Sequence, residues 1–257
     1  MNILCTNDDG VLSPGLAASV QVALAFGEVS VAAPSSQKTG AGRSLIGERK
    51  QSISATELEI GVEKVAAYHL EGTPALVLKH AFATVLKNRR FDLAISGINY
   101  GENIGFDITS SGTVGAAVEC ATIGIPAIAV SVQTEISAHR RHDRIDWRPV
   151  QYFLGMMIRR FVEKGKFTGF DILKLDVPMG ADEVTKWKVC SLQPGSYFLT
   201  TMRTDSADAL LADSTLHIDP SAYDPGTDAY ALNVERKVAV TPLVLDWTAR
   251  ETGSFFD

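Results

Sequence analysis

Cysteine is scarce in this chain. Cys5, Cys120 and Cys190 are odd in number and far apart, with no Cys-x-x-Cys pair, so no disulfide framework is indicated and the thiols read as reduced and mostly buried, as in a cytoplasmic protein. No apolar run approaches the ~20 residues of a membrane span. The first residues do not form a basic segment leading into an apolar signal core, because Asp8 and Asp9 arrive too early. Positive charge is in deficit, with a formal net charge of −6. That argues against a surface holding nucleic acid by neutralising many phosphates. A small anionic substrate would need a local cation or backbone amides. Also missing are the Gly-x-Ser-x-Gly element of serine hydrolases and the Walker Gly-Lys-Ser/Thr sequence, while Gly97 to Gly105 is glycine-rich without dinucleotide spacing.

What remains is an ordinary globular composition, 46% hydrophobic and 21% charged over 257 residues, long enough to bury a substantial core. Ile3-Leu4-Cys5 predicts a buried strand that ends abruptly in Thr6-Asn7-Asp8-Asp9-Gly10. Inside a strand, adjacent side chains point to opposite faces, but beyond its end Asp8 and Asp9 can converge. Two carboxylates there repel and require a cation or a shared proton; alone, they would pass for an Asp-Asp-Gly turn.

Leu16 to Phe26 predicts a helix ending at Gly27, and Val29 to Pro34 a second strand. A polar loop, Ser35 to Gly42, follows at the same carboxyl edge. Arg49 to Leu70 suggests a hairpin laid against the main sheet, and Pro74 opens a helix through about Lys87. Phe91 to Ser96 predicts a strand followed at once by the loop Gly97 to Gly105. Ser111-Gly112-Thr113 feeds a helix to about Ile123, and Pro126 to Val132 is another buried strand. Trp147 to Lys164 reads as a helix and Phe170 to Pro178 as a strand. Alternation of this kind indicates a three-layer α/β/α fold with a mostly parallel, Rossmann-like sheet covered on both faces. Trp187 to Leu192 and Val234 to Val244 look extended without a helical partner, so residues from about 186 to 245 are expected to form a projecting hairpin arm used in oligomerisation.

Three loops after strands offer oxygen ligands: the carboxylates of Asp8 and Asp9, the hydroxyl of Thr39 and the amide oxygen of Asn99. No histidine or cysteine joins them, so the set suits one hard divalent cation, magnesium, manganese or calcium rather than zinc, with magnesium or manganese expected first. Ser111-Gly112-Thr113, at a helix N-terminus, offers hydroxyls and unsatisfied N–H groups to an anion, with Asn103 on a neighbouring glycine-bearing loop. A helix cap on a Ser-Gly turn is the alternative. His69, His80 and His217 stand isolated, and His139 to Arg144 reads as a solvated polar loop.

These stretches, Met1 to Gly10, Ser96 to Gly105 and Ser111 to Glu119, closely resemble the SurE survival-protein family, with Gly72-Thr73-Pro74 and Gly124 to Ser131 matching in the same order. The resemblance covers essentially Met1 to Val132, and Val177-Pro178 and Thr241-Pro242-Leu243 look like weaker landmarks of the same family. It implies a single α/β domain over 1–257 with its metal-bearing core in 1–132. It also implies a metal-dependent phosphatase of nucleoside monophosphates at the 5′ or 3′ position, and a homodimer or homotetramer built with C-terminal extensions. Residues matching Asp8, Asp9, Asn99 and a serine where this chain has Thr39 hold the metal in that family; those matching Asn103, Ser111, Gly112 and Thr113 line the phosphate pocket. The family loop reads Ala-Pro-Asp with a later Ser-Gly; here it is Ala33-Pro34-Ser35 with Thr39-Gly40.

The reaction expected is attack of a water on phosphorus, with Asp8 or Asp9 as the catalytic carboxylates and Asp8 the one that orients or deprotonates the water. Two other readings stay open. One is a nucleotide- and metal-binding protein on the same fold with little turnover. The other is an aspartyl-phosphate phosphotransferase, although such enzymes usually space their two aspartates by one residue and Asp8 and Asp9 are adjacent.

Overall fold

The computed structural model describes residues 1–136, 145–204 and 206–248; the His139 to Arg144 segment lies outside them. Eleven strands and five α-helices follow the order β1 (Asn2–Thr6), α1 (Pro14–Leu24), β2 (Glu28–Pro34), β3 (Ser54–Ile60), β4 (Glu63–Leu70), α2 (Pro74–Ala83), β5 (Leu93–Tyr100), α3 (Gly112–Thr122), β6 (Ala127–Val132), α4 (Arg148–Lys164), β7 (Ile172–Val177), β8 (Trp187–Val189), β9 (Leu199–Met202), β10 (Ser214–His217), α5 (Asp228–Asn233) and β11 (Val238–Leu243) among the described residues.

Nine strands form one sheet in the order β3-β4-β2-β1-β5-β6-β7-β11-β8. From β4 to β7 every pairing is parallel. Strand alternation sets the two cores. Ile3 and Cys5 of β1 join Leu16 and Val20 of α1 and Phe153, Leu154 and Met157 of α4 on one face. Leu4 joins Leu78 of α2 and Val114 and Ala117 of α3 on the other. The expected α/β/α layering follows from that period-two division. α4 buries Val150, Phe153, Leu154, Met157, Ile158 and Phe161, one stripe of a 3.6-residue period, and the left-handed Gly165 ends it. All three cysteines are buried and unpaired.

Three expectations are corrected. The hairpin of β3 and β4 does not lie against the sheet; it extends it, since β4 pairs in parallel with β2. β5 runs on through Tyr100, because a register shift against β6 between Ser96 and Asn99 lets pairing resume at Asn99 and Ser131; Asn99 is therefore a strand residue. The segments expected to form an arm also belong to the sheet: β11 pairs antiparallel with β7 and parallel with β8. The separate two-stranded hairpin is β9 with β10, between them in sequence.

From β1 the chain first builds outward through β2 and then returns through β5 on the other side. That reversal is the topological switch point, where the carboxyl ends of strands in open sheets leave a crevice. Asp8 lies just past β1 and Asn99 is next to last in β5, so both stand at it.

Candidate active site

The turn after β1 is built by Asn7, whose side-chain amide donates to the Gly10 carbonyl at 3.0 Å and accepts from the Gly10 N–H at 3.2 Å. Gly10 takes φ +102°, a conformation side chains rarely allow. The turn leaves Asp8 and Asp9 buried side by side. Burial pushes both carboxyl groups above the usual range; hydrogen bonds from Thr113 hold Asp8 back, while the charge of Asp8 drives Asp9 further up.

Each carboxylate is fixed by different elements, Asp8 by the first turn of α3 and Asp9 by the loop after β2 and the end of β5. Thr113 donates both its hydroxyl and its backbone N–H to Asp8. Gln37 donates to Asp9 Oδ1 at 3.0 Å and the Tyr100 N–H also donates to Asp9. Asp9 Oδ2 is buried with no hydrogen-bond partner, an expensive state for a carboxylate oxygen. The loop carrying Thr39 is held next to them: the Lys38 N–H donates to the Asp8 carbonyl at 2.6 Å, and the Lys38 ammonium pairs with Glu71. Asn99 donates its amide N–H to the Gly101 carbonyl at 2.7 Å, which leaves its oxygen as the free acceptor.

Asp8, Thr39, Asn99, Asn103 and Ser111 line one cleft of about 360 Å³. Asp9, Gly112 and Thr113 are not among its lining residues but adjoin Asp8, Gly112 and Thr113 by contact. Ser111 caps α3, accepting from the Val114 N–H at 3.1 Å. A Cβ on Gly112 would fall 2.6 Å from Asp8 Oδ2, so glycine is what lets the helix end approach the carboxylate. The Thr113 groups expected to face phosphate are already given to Asp8. Asn103 donates its side-chain amide to Ser131 at 2.7 Å and keeps a second N–H.

The donor set of two carboxylates, one amide oxygen and one hydroxyl, with the Asp9 Oδ2 orphan among them, fits a hard cation. Among the described residues no group of three or more His, Cys, Asp or Glu is placed to hold a metal, so the set here leans on its amide and hydroxyl oxygens.

Sequence reasoning missed the support beneath this cleft. Lys174 is fully buried, paired with Asp176 and, at 3.0 Å, with Asp228. Burial opposes its charge, but the two carboxylates outweigh that and hold it protonated. Asp176 Oδ1 accepts the Asn103 N–H at 2.8 Å and Asp228 accepts the Gly105 N–H at 3.1 Å, so the ion triad sets the 103–105 loop. The signal was present: Lys174 and Asp176 are charges at alternate positions of an otherwise apolar strand. No helix among the described residues is long and apolar enough to cross a membrane.

Comparison with known proteins gives the chain's relatives. A family model described as survival protein SurE matches residues 3–198. A 5′-nucleotidase SurE of Thermococcus gammatolerans is 38% identical over 264 residues, covering 97% of this chain and 92% of the relative. One of Methanocella arvoryzae is 36% identical over 256 residues, covering 97% and 94%. The crystal structure of the SurE protein from Aquifex aeolicus matches with a TM-score of 0.74 at 26% identity, over 96% of this chain and 95% of that one. The fold is thus one already seen in a solved relative, and the chain belongs to the SurE survival-protein family.

Proposed function

We infer that this protein is a divalent-metal-dependent 5′-nucleotidase, a phosphoric monoester hydrolase that converts nucleoside monophosphates to nucleoside and phosphate. The family is generally divalent-metal-dependent, and relatives spanning the chain carry the 5′-nucleotidase name. The observation that carries the reading is the convergence of Asp8, Thr39, Asn99, Asn103 and Ser111, from separate segments, on one cleft beside the N-terminus of α3.

Asp8, Asp9, Thr39 and Asn99 would hold one magnesium or manganese ion. Bound there, it would neutralise phosphate charge and make water acidic enough to attack at neutral pH. The other tasks fall to the chain itself. Ser111, the Gly112 N–H at the start of α3 and the Asn103 amide hold phosphoryl oxygens as charge shifts during transfer. Thr113 keeps Asp8 in one orientation through two donors, and Asp8 orients the attacking water and accepts its proton. Asp9, next to Asp8 with its buried Oδ2 unpartnered, is the second carboxylate of the cation site.

The test is phosphate release from 5′- and 3′-nucleoside monophosphates and an aryl phosphate, with magnesium, manganese or chelator. Chelator-sensitive turnover that prefers 5′-nucleotides is expected. Nucleotide binding with no release under any metal would replace this reading with the binding-protein one. A homodimer or homotetramer is also proposed, supported by the apolar surface of the β9–β10 region, where Leu199 and Leu210 are exposed; a monomer by light scattering would remove it.

A further inference from the structure

Part of the cleft's lining has no place in the phosphate chemistry: Asp107, Ser196, Phe198 and Leu216 of β10. Among the described residues that line the cleft none is a lysine, arginine or histidine, and two, Tyr100 and Phe198, are aromatic. Tyr100 is buried, its ring packed edge-on against Trp147 at 5.1 Å. Phe198 is half-buried, and Leu216 is 47% exposed.

Phe198 is also held in place. The Asp107 carboxylate accepts the Ser196 hydroxyl at 2.9 Å, the Tyr197 N–H at 2.8 Å and the Phe198 N–H at 2.9 Å. The Tyr197 ring meets Phe198 edge-on at 4.7 Å, and its own hydroxyl is tied to Glu102 at 2.7 Å. A ring fixed before binding loses little freedom when a ligand packs on it. A nucleotide whose phosphate lies against Ser111 must direct its nucleoside along the cleft. An aromatic face is what a base can use without hydrogen-bond readout.

Resting on the nucleotidase reading, we propose that Phe198 is the stacking platform for the substrate's base, with Leu216 completing an apolar lip. Phe198 is thereby a specificity-determining residue that acts on the nucleoside, separate from the phosphate-handling groups.

The experiment compares AMP with ribose 5-phosphate, which has the phosphate and sugar but no base, in metal-loaded wild type, Phe198→Ala and Phe198→Trp. Wild type should favour AMP. The ratio of kcat/KM for AMP over ribose 5-phosphate should fall about tenfold in Phe198→Ala, carried by KM, and return in Phe198→Trp. AMP, and not ribose 5-phosphate, should quench the new indole in Phe198→Trp relative to wild type, a readout independent of turnover. An unchanged ratio in Phe198→Ala would overturn the proposal, including the case where both substrates weaken equally because the segment has merely loosened. Wild type that hydrolyses neither compound would overturn the nucleotidase reading instead, and the indole quench would still decide whether a base sits on residue 198.

Discussion

At the end of β1, Asp8 and Asp9 bury two carboxyl groups that make no ion pair among the described residues. At the end of β7, Asp176 and its neighbour Asp228 bury two more around the ammonium of Lys174. The two clusters are alike in burial and sheet edge and differ in charge balance. The balanced one has its oxygens committed to Lys174 and to the Asn103, Gly105 and Gln193 N–H groups, so it builds structure. The unbalanced one retains a buried oxygen without a partner, and its two carboxylates face each other's charge, Asp8 driving the proton affinity of Asp9 up, which suits it to the cation proposed above. Stability and function have been assigned to neighbouring charge clusters by the presence or absence of one lysine.

Removing that lysine should have the largest effect. Lys174→Met leaves two carboxylates buried and uncompensated, expected to cost ~3–5 kcal/mol, read as a lower urea midpoint. Adding Asp176→Asn and Asp228→Asn should recover most of it, because a neutral set has nothing left to compensate. A Lys174→Met protein as stable as wild type would end the distinction between the clusters.

Asp9→Asn tests the other side, with opposite signs in its two readouts. Phosphate release should drop by ~10²–10³-fold. The metal-free protein should become no less stable, because mutual repulsion with Asp8 is relieved. Magnesium or manganese at 100 times its dissociation constant should stabilise wild type by about 2.7 kcal/mol, and this increment should vanish in Asp9→Asn. Full activity in the folded variant would remove Asp9 from the site.

Gly112→Ala should act through crowding. The new methyl meets Asp8 Oδ2 at 2.6 Å, and overpacking of this kind costs ~1–3 kcal/mol. Because the displaced atom belongs to Asp8, turnover should fall while the far-ultraviolet dichroism stays that of wild type. Unchanged turnover would mean that the Asp8 position is not critical.

How much of this was legible beforehand divides along the same line. Asp8 and Asp9 were readable because a buried strand stopping in two carboxylates is a local pattern, and Ser111 because caps are written in three residues. Asn99 was singled out as a candidate ligand but misplaced into a loop, since the bulge that keeps it in β5 is decided by β6. Lys174 and Asp176 showed their alternation, but their meaning depends on Asp228, which approaches from more than 50 residues away. β8 and β11 read as an arm because a strand of three residues, Trp187–Val189, has no pattern of its own and gets its identity from β11 alongside. Local chemistry was visible; pairings over long separations were not.

The smallest effect expected is at Thr39, and it separates two parts of one side chain. Thr39 is exposed on the cleft in a loop whose position is set by its neighbours Gln37 and Lys38. Its β-branching limits rotation about χ1 but does not place the loop. Thr39→Ser keeps the hydroxyl and should change kcat/KM by less than about threefold, the scale of a surface substitution. Thr39→Val keeps the shape and removes the oxygen; if that oxygen completes the donor set, the metal concentration for half-maximal activity should rise about tenfold. Serine and valine behaving alike would exclude Thr39 from the cation site and leave Asp8, Asp9 and Asn99 to hold the metal, which would then have one more position open to water or substrate.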